Sequence, residues 1–133
     1  MKRTTIFLIL TFLYLVAVAL LCFANFSHAP HVQRTFLGFP TDKVIHFLMF
    51  LPFPILAFFS IHLKKAGLLK TVLLLAALFA LGCLIAWGTE LVQDLIPYRE
   101  MELLDFKADR MGLACGCAIT FLIQLLFCRK TDA

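Results

Sequence analysis

Eight side chains in a largely apolar chain have types and spacings that suit chemistry: Asp42, Lys43, His46, Glu90, Gln93, Arg99, Asp105 and Asp109. An imidazole near carboxylates can act as a general acid while Glu90 or Asp109 acts as the base, so His46, Glu90 and Asp109 are the catalytic candidates. Lys43 and Arg99 offer cations to an anionic group, and Gln93 offers hydrogen bonds that fix orientation. Each residue also has a structural role open to it. Glu90 could pair with Lys43, Arg99 or Arg110 and pin helix ends without doing chemistry. Asp105 and Asp109 suit the first turn of a helix, where the dipole favours acids. Gln93 could bridge two helices, Arg99 could be a solvated loop residue, and a lone histidine such as His46 is often a hydrogen-bond partner in a core.

Composition sets the elements that must position these groups. Of 133 residues, 62% are hydrophobic and 15% charged, against roughly 25% charged in soluble proteins. The mean hydropathy is +0.97. A soluble domain this small has too little polar surface to cover such content. Four apolar runs lie at about residues 4–24, 44–63, 68–90 and 108–128. Each is close to the roughly 20 residues that a transmembrane helix needs, and none alternates like a barrel strand. In hydrocarbon, only the helix then satisfies the backbone. The expected fold is all-α: a polytopic membrane protein, one domain over residues 1–133, built as a bundle of four transmembrane helices. That leaves no room for a soluble catalytic domain. The dispersed basic residues behind a net charge of +4 are not a nucleic-acid footprint.

The first run reads as an uncleaved span. A signal peptide is the alternative, with Ser27-His28-Ala29 as a small-x-small site, but Pro30 would follow the cut. The apolar core is also about twice the usual length for a signal peptide. Alternating spans put Lys2, Arg3, Lys64, Lys65, Lys70, Arg129 and Lys130 on one side, against Arg34, Lys43, Arg99, Lys107 and Arg110 on the other. That bias favours both termini in the cytoplasm. Every acid except Asp132 falls on the opposite side, where insertion does not require it.

That side gathers the start of the second span, the end of the third and the start of the fourth. A charge at the centre of a membrane helix costs about 2.5–3.5 kcal/mol, so these groups are expected to face one another across the bundle. Helical spacing agrees. Asp42 and His46 share a face. Gly82, Ala86, Glu90, Gln93 and Pro97 form one stripe, and Asp105, Asp109, Gly112 and Gly116 form another. Small residues let membrane helices approach closely, which makes these stripes the expected packing faces; the Gly112–Gly116 spacing would equally support a homo-oligomer. Pro52 and Pro54 predict a kink in the second span. Trp87 and Tyr98 fit an interfacial aromatic belt. Cys22, Cys83, Cys115, Cys117 and Cys128 lie in or beside apolar runs and read as packing residues. Cys115-Gly-Cys117 lacks metal spacing and histidine companions. Neither a metal nor a cofactor is expected.

In order, the blocks Asp42-Lys43-Val44-Ile45-His46-Phe47, Glu90-Leu91-Val92-Gln93, Arg99 and Leu104-Asp105-Phe106-Lys107-Ala108-Asp109-Arg110-Met111-Gly112 resemble the VanZ-like membrane protein family. The family pattern runs approximately D-K-x-x-H-F, E-x-x-Q, a loop arginine and D-x-x-A-N-x-x-G, matched over about residues 40–115. Asp109 stands where the family has asparagine, which adds a titratable group. The resemblance implies a small multi-pass protein of the bacterial cell (inner) membrane, in a family named for a member linked to low-level resistance to the glycopeptide teicoplanin. The expected function is binding of an amphiphile, an envelope lipid or a glycopeptide, in an outward-facing polar pocket, with an effect on glycopeptide susceptibility. The alternative is a membrane-embedded enzyme acting on a lipid-linked envelope precursor through a carboxylate–histidine pair. Expected partners are membrane lipids and such a precursor or glycopeptide, not nucleic acid.

Overall fold

The computed structural model describes residues 2–24, 35–61, 67–97 and 101–131. Ser27-His28-Ala29, Lys64, Lys65, Tyr98 and Arg99 lie outside the described residues. The helices are α1 (Arg3–Phe23), α2 (Thr41–Phe50), α3 (Pro52–Ser60), α4 (Leu68–Asp94) and α5 (Leu103–Thr131). Counting α2 and α3 as one span, four helices among the described residues are long and apolar enough to cross a membrane. Their outer faces fit that role. Phe12 is 67% exposed, Leu20 67% and Leu84 70%, surface that a soluble monomer would hide but that acyl chains accept.

The predicted kink takes the form of a break at Leu51. Pro52 and Pro54 have no N–H, so the carbonyls of Leu48 and Phe50 lose their helical donors. Leu51 itself stays helical, with its N–H donating to the Phe47 carbonyl at 3.1 Å. The two helices therefore run on from one another.

Two helix starts lie earlier than hydropathy predicts. The second span begins at Thr41 and the fourth at Leu103, because Asp42 and Asp105 sit in first turns, where the helix dipole welcomes acids. The third helix runs past Glu90 to Asp94, which leaves Pro97 beyond its stripe. A short hairpin, β1 (Thr35–Phe36) with β2 (Phe39–Pro40), precedes α2 and is not foreseen from the sequence. Its turn residues Leu37 and Gly38 both have positive φ, 51° and 81°, as a two-residue hairpin of this hand requires.

Side-chain contacts fix the alternation of the bundle. At one end Gln93 of α4 donates to the Cys22 carbonyl of α1 at 2.8 Å, and Lys43 of α2 meets Asp105 of α5. Toward the other end the hydroxyls of Thr11 and Ser60 lie 2.9 Å apart. There the Arg3 guanidinium rests over the rings of Phe7, Phe59 and Phe127 at 5.7, 5.7 and 5.8 Å. Between the ends, Tyr14 donates to the Met49 carbonyl. Val18, Cys22, Met49, Phe50, Phe53, Ala86 and Leu113 form the main core.

The small-residue stripes are packing faces, as expected. Gly112 lies so close to α2 that an added Cβ would overlap the Phe47 carbonyl oxygen, and one at Gly116 would strike the Leu51 carbonyl oxygen and the Pro54 ring. A Cβ on Gly82 would press on Leu113 and Phe53. The break at Leu51 thus receives the backbone of α5, and this approach carries Asp105 and Asp109 up against α2.

Candidate functional site

Three helix ends supply the polar residues: the first turns of α2, the last turns of α4 and the first turns of α5. They form two layers. The inner layer is buried, with His46 7% exposed and both Glu90 and Asp109 at 0%. His46 Nδ1 lies 2.9 Å from Asp109 Oδ1 and 3.9 Å from Glu90 Oε1. Its other nitrogen, Nε2, lies 3.4 Å from Asp105 Oδ2.

The outer layer centres on Lys43. Its ammonium donates to Asp42 at 2.8 Å, to Glu102 at 2.6 Å and to Asp105. Asp105 therefore touches both layers. Glu102 also joins them, because its backbone N–H donates to Glu90 Oε2 at 3.4 Å. Two buried oxygens, Glu90 Oε1 and Asp109 Oδ2, have no hydrogen-bond partner among the described residues.

Of the eight residues singled out from sequence, six meet here: Asp42, Lys43, His46, Glu90, Asp105 and Asp109. Gln93 is buried but takes the bridging role, tying α4 to the last turn of α1. Arg99 is outside the described residues. The salt bridges open to Glu90 are not made with Lys43 or Arg110 among the described residues: Lys43 is taken by three other acids, and the Arg110 guanidinium lies over the Phe106 ring at 4.9 Å. Trp87 packs edge-on against the same ring, at 5.1 Å.

Sequence reasoning misses Glu102, which precedes the fourth apolar run. The available signal was its spacing: Glu102, Asp105 and Asp109 follow one another at helical intervals of three and four.

Chemically, the inner layer offers an imidazole and two carboxylates in a setting screened from water, where charge interactions are stronger than at a surface. It can move a proton between His46 and Asp109, and its three residues could hold a metal ion, since one ligand atom from each lies within 4.8 Å of the others. The outer layer can exchange ion-pair partners with a visiting charged group.

No family model matches the sequence, and no solved structure matches it. An uncharacterized protein of the fission yeast Schizosaccharomyces pombe is 25% identical over 89 residues, which make up 67% of this chain and 49% of that protein. The chain thus spans about half the length of this relative.

Proposed function

We propose that the chain is a multi-pass membrane protein that binds the head group of an amphiphile, an envelope lipid or a glycopeptide, at its polar end. The single observation that carries this reading is the two-layered polar end of an otherwise apolar bundle. Lys43, Asp42, Glu102 and Asp105 form a solvent-reachable ring over the buried His46, Glu90 and Asp109. Exposed ion pairs are worth only about 0–1 kcal/mol, so a head-group amine can replace Lys43 at Asp42 or Glu102 cheaply. A phosphate can take Lys43 instead. The tail then lies along the apolar helix faces. The charge bias of the spans and the VanZ-like resemblance support a location for this end on the outer side of a bacterial cell membrane, where envelope lipids and glycopeptides are met. Altered glycopeptide susceptibility would follow from capture of such a ligand.

Native mass spectrometry of gently extracted protein tests the reading. A single amphiphile class should remain bound, be lost from a Lys43→Ala, Asp105→Asn double variant, and be kept by Ser60→Ala at the opposite end. Equal retention by all three proteins, or no bound amphiphile at all, would overturn it.

A second reading is favoured by the buried His46–Asp109 bond of 2.9 Å: an enzyme acting on a lipid-linked envelope precursor, with His46 as acid and Asp109 or Glu90 as base. A Glu90→Gln protein that binds the precursor but no longer turns it over would select this alternative.

A further inference from the structure

The two polar layers differ in how their negative charge is met. In the outer layer Asp42, Glu102 and Asp105 converge on the Lys43 ammonium. In the inner layer no lysine or arginine pairs with Glu90 or Asp109 among the described residues, and His46 brings at most one positive charge against two carboxylates. Both carboxylates are fully buried, and each holds one oxygen without a hydrogen-bond partner among the described residues. Burying two carboxylate charges this way is strongly unfavourable unless protons or a bound cation offset them.

The donors match a metal in type and in spacing. Metal–nitrogen and metal–oxygen bonds near 2.0–2.2 Å place tetrahedral ligand atoms about 3.4 Å apart. The separations from His46 Nδ1, 2.9 Å to Asp109 and 3.9 Å to Glu90, bracket that value. The surroundings of the imidazole also fit. Metal-bound histidines almost always donate their second N–H to a carboxylate, carbonyl or water. Here His46 Nε2 faces Asp105, which Lys43 holds in turn.

We propose that His46 through Nδ1, Glu90 and Asp109 bind one divalent first-row transition metal ion of the zinc, manganese or iron class, with Asp105 as a positioning residue for the imidazole. Two positive charges balance the two carboxylates, with Glu90 Oε1, which has no hydrogen-bond partner among the described residues, and Asp109 Oδ1, now bonded to His46, as the oxygen ligands. One nitrogen with two carboxylates disfavours copper(I), which selects sulfur, and magnesium or calcium, which select all-oxygen cages. Three protein ligands leave a coordination position for water or a substrate oxygen. Sequence spacing brings these three residues to one end of the bundle but forms no metal-binding motif, because they stand 44 and 19 residues apart on three separate helices. A metal held by this donor set, with its burial and spacing, is compatible with either functional reading.

The test uses the full chain on a non-histidine affinity tag, purified in detergent without chelator. Elemental analysis should find about one such metal per chain. After stripping with EDTA, cobalt(II) chloride should produce a visible d–d band that saturates at one equivalent, and zinc or manganese chloride should raise the unfolding temperature. His46→Ala and Glu90→Gln should weaken cobalt binding by roughly ten-fold or more, and Asp105→Asn by about ten-fold with a shifted band. Cys115→Ser, which removes an exposed thiol, should bind like the unaltered chain. Stripped, folded wild-type protein that gives no cobalt band and no thermal shift with millimolar zinc or manganese would overturn the proposal, as would wild-type affinity in both ligand variants. The wild-type arm needs no variant to fold. Metal binding without a retained amphiphile would refute only the head-group reading, and the reverse result only the metal site.

Discussion

Replacing Gly112 with alanine tests whether the close approach of α5 to α2 assembles the polar end. The added methyl would lie 3.1 Å from the Phe47 carbonyl carbon and 3.3 Å from the Leu51 nitrogen, and would overlap the Phe47 oxygen. These are backbone atoms, with no rotamer to escape into. Contacts between carbon and carbonyl oxygen settle at about 3.3–3.6 Å, so the helices must part by about 1 Å. The His46–Asp109 bond of 2.9 Å then stretches past hydrogen-bonding range. Overpacking costs about 1–3 kcal/mol, and a lost bond to a charged group about 1.5–3 kcal/mol. Alanine's better helix propensity returns up to about 1 kcal/mol. The net loss should be about 2–5 kcal/mol. Unfolding in dodecyl maltoside with rising dodecyl sulfate, followed by far-ultraviolet circular dichroism, measures it. Gly88→Ala is the control, because a Cβ there meets nothing within 4 Å. If Gly112→Ala unfolds at the same detergent fraction as Gly88→Ala, the packing argument is wrong.

Three further outcomes are expected. His46→Ala strands Asp109 in the core and should cost about 3–5 kcal/mol, whereas Asp109→Asn keeps shape and an acceptor and should cost about 1–2 kcal/mol; equal losses in the same unfolding assay would deny the pair. Lys43→Ala leaves three acids facing one another: Asp42 and Glu102 are 56% and 50% exposed, but Asp105 is only 14% exposed. The exposed pairs should cost less than about 1 kcal/mol and shrink with added salt, so the larger, salt-insensitive part of the loss should be abolished by a second change, Asp105→Asn; a loss that the second change leaves untouched would contradict the charge network. Gln93→Ala removes the bond to the Cys22 carbonyl. In a background with Cys22 as the sole cysteine, loosening by about 1 kcal/mol should speed dye labelling about five-fold, and an unchanged rate would show that the bridge does not hold α1.

The fold was legible because helical spacing and hydrocarbon chemistry constrain the same residues. Ala86, Glu90 and Gln93, like Asp109, Gly112 and Gly116, recur at the interval that keeps one helix face inward, and all six are buried. Helix starts were less legible. Hydropathy stops at the first charge, whereas backbone hydrogen bonding continues through Asp42 and Asp105 to Thr41 and Leu103. The same blind spot hid Glu102. Partner choice was not legible at all. Lys43 looks like a free grip for an anion until three acids are seen around it, and Gln93 looks like a site residue until the Cys22 carbonyl is found against it. The sequence offers alternatives for such groups, and only the meeting of distant helices selects among them.

Helix length has a consequence for how the bundle would sit in a bilayer. The 27 residues of α4 and 29 of α5 reach about 40 and 44 Å, while the 20 residues from Thr41 to Ser60 reach about 30 Å. A hydrocarbon slab is about 30 Å thick, so the two long helices must lean or overhang wherever the shorter span fits. Thickening the slab draws the ends of α4 and α5, with Glu90 and Asp109, below the acyl boundary, and thinning it lifts them into the wet head-group zone. In a bilayer, acyl-chain length would thereby control how readily solvent reaches the inner carboxylates.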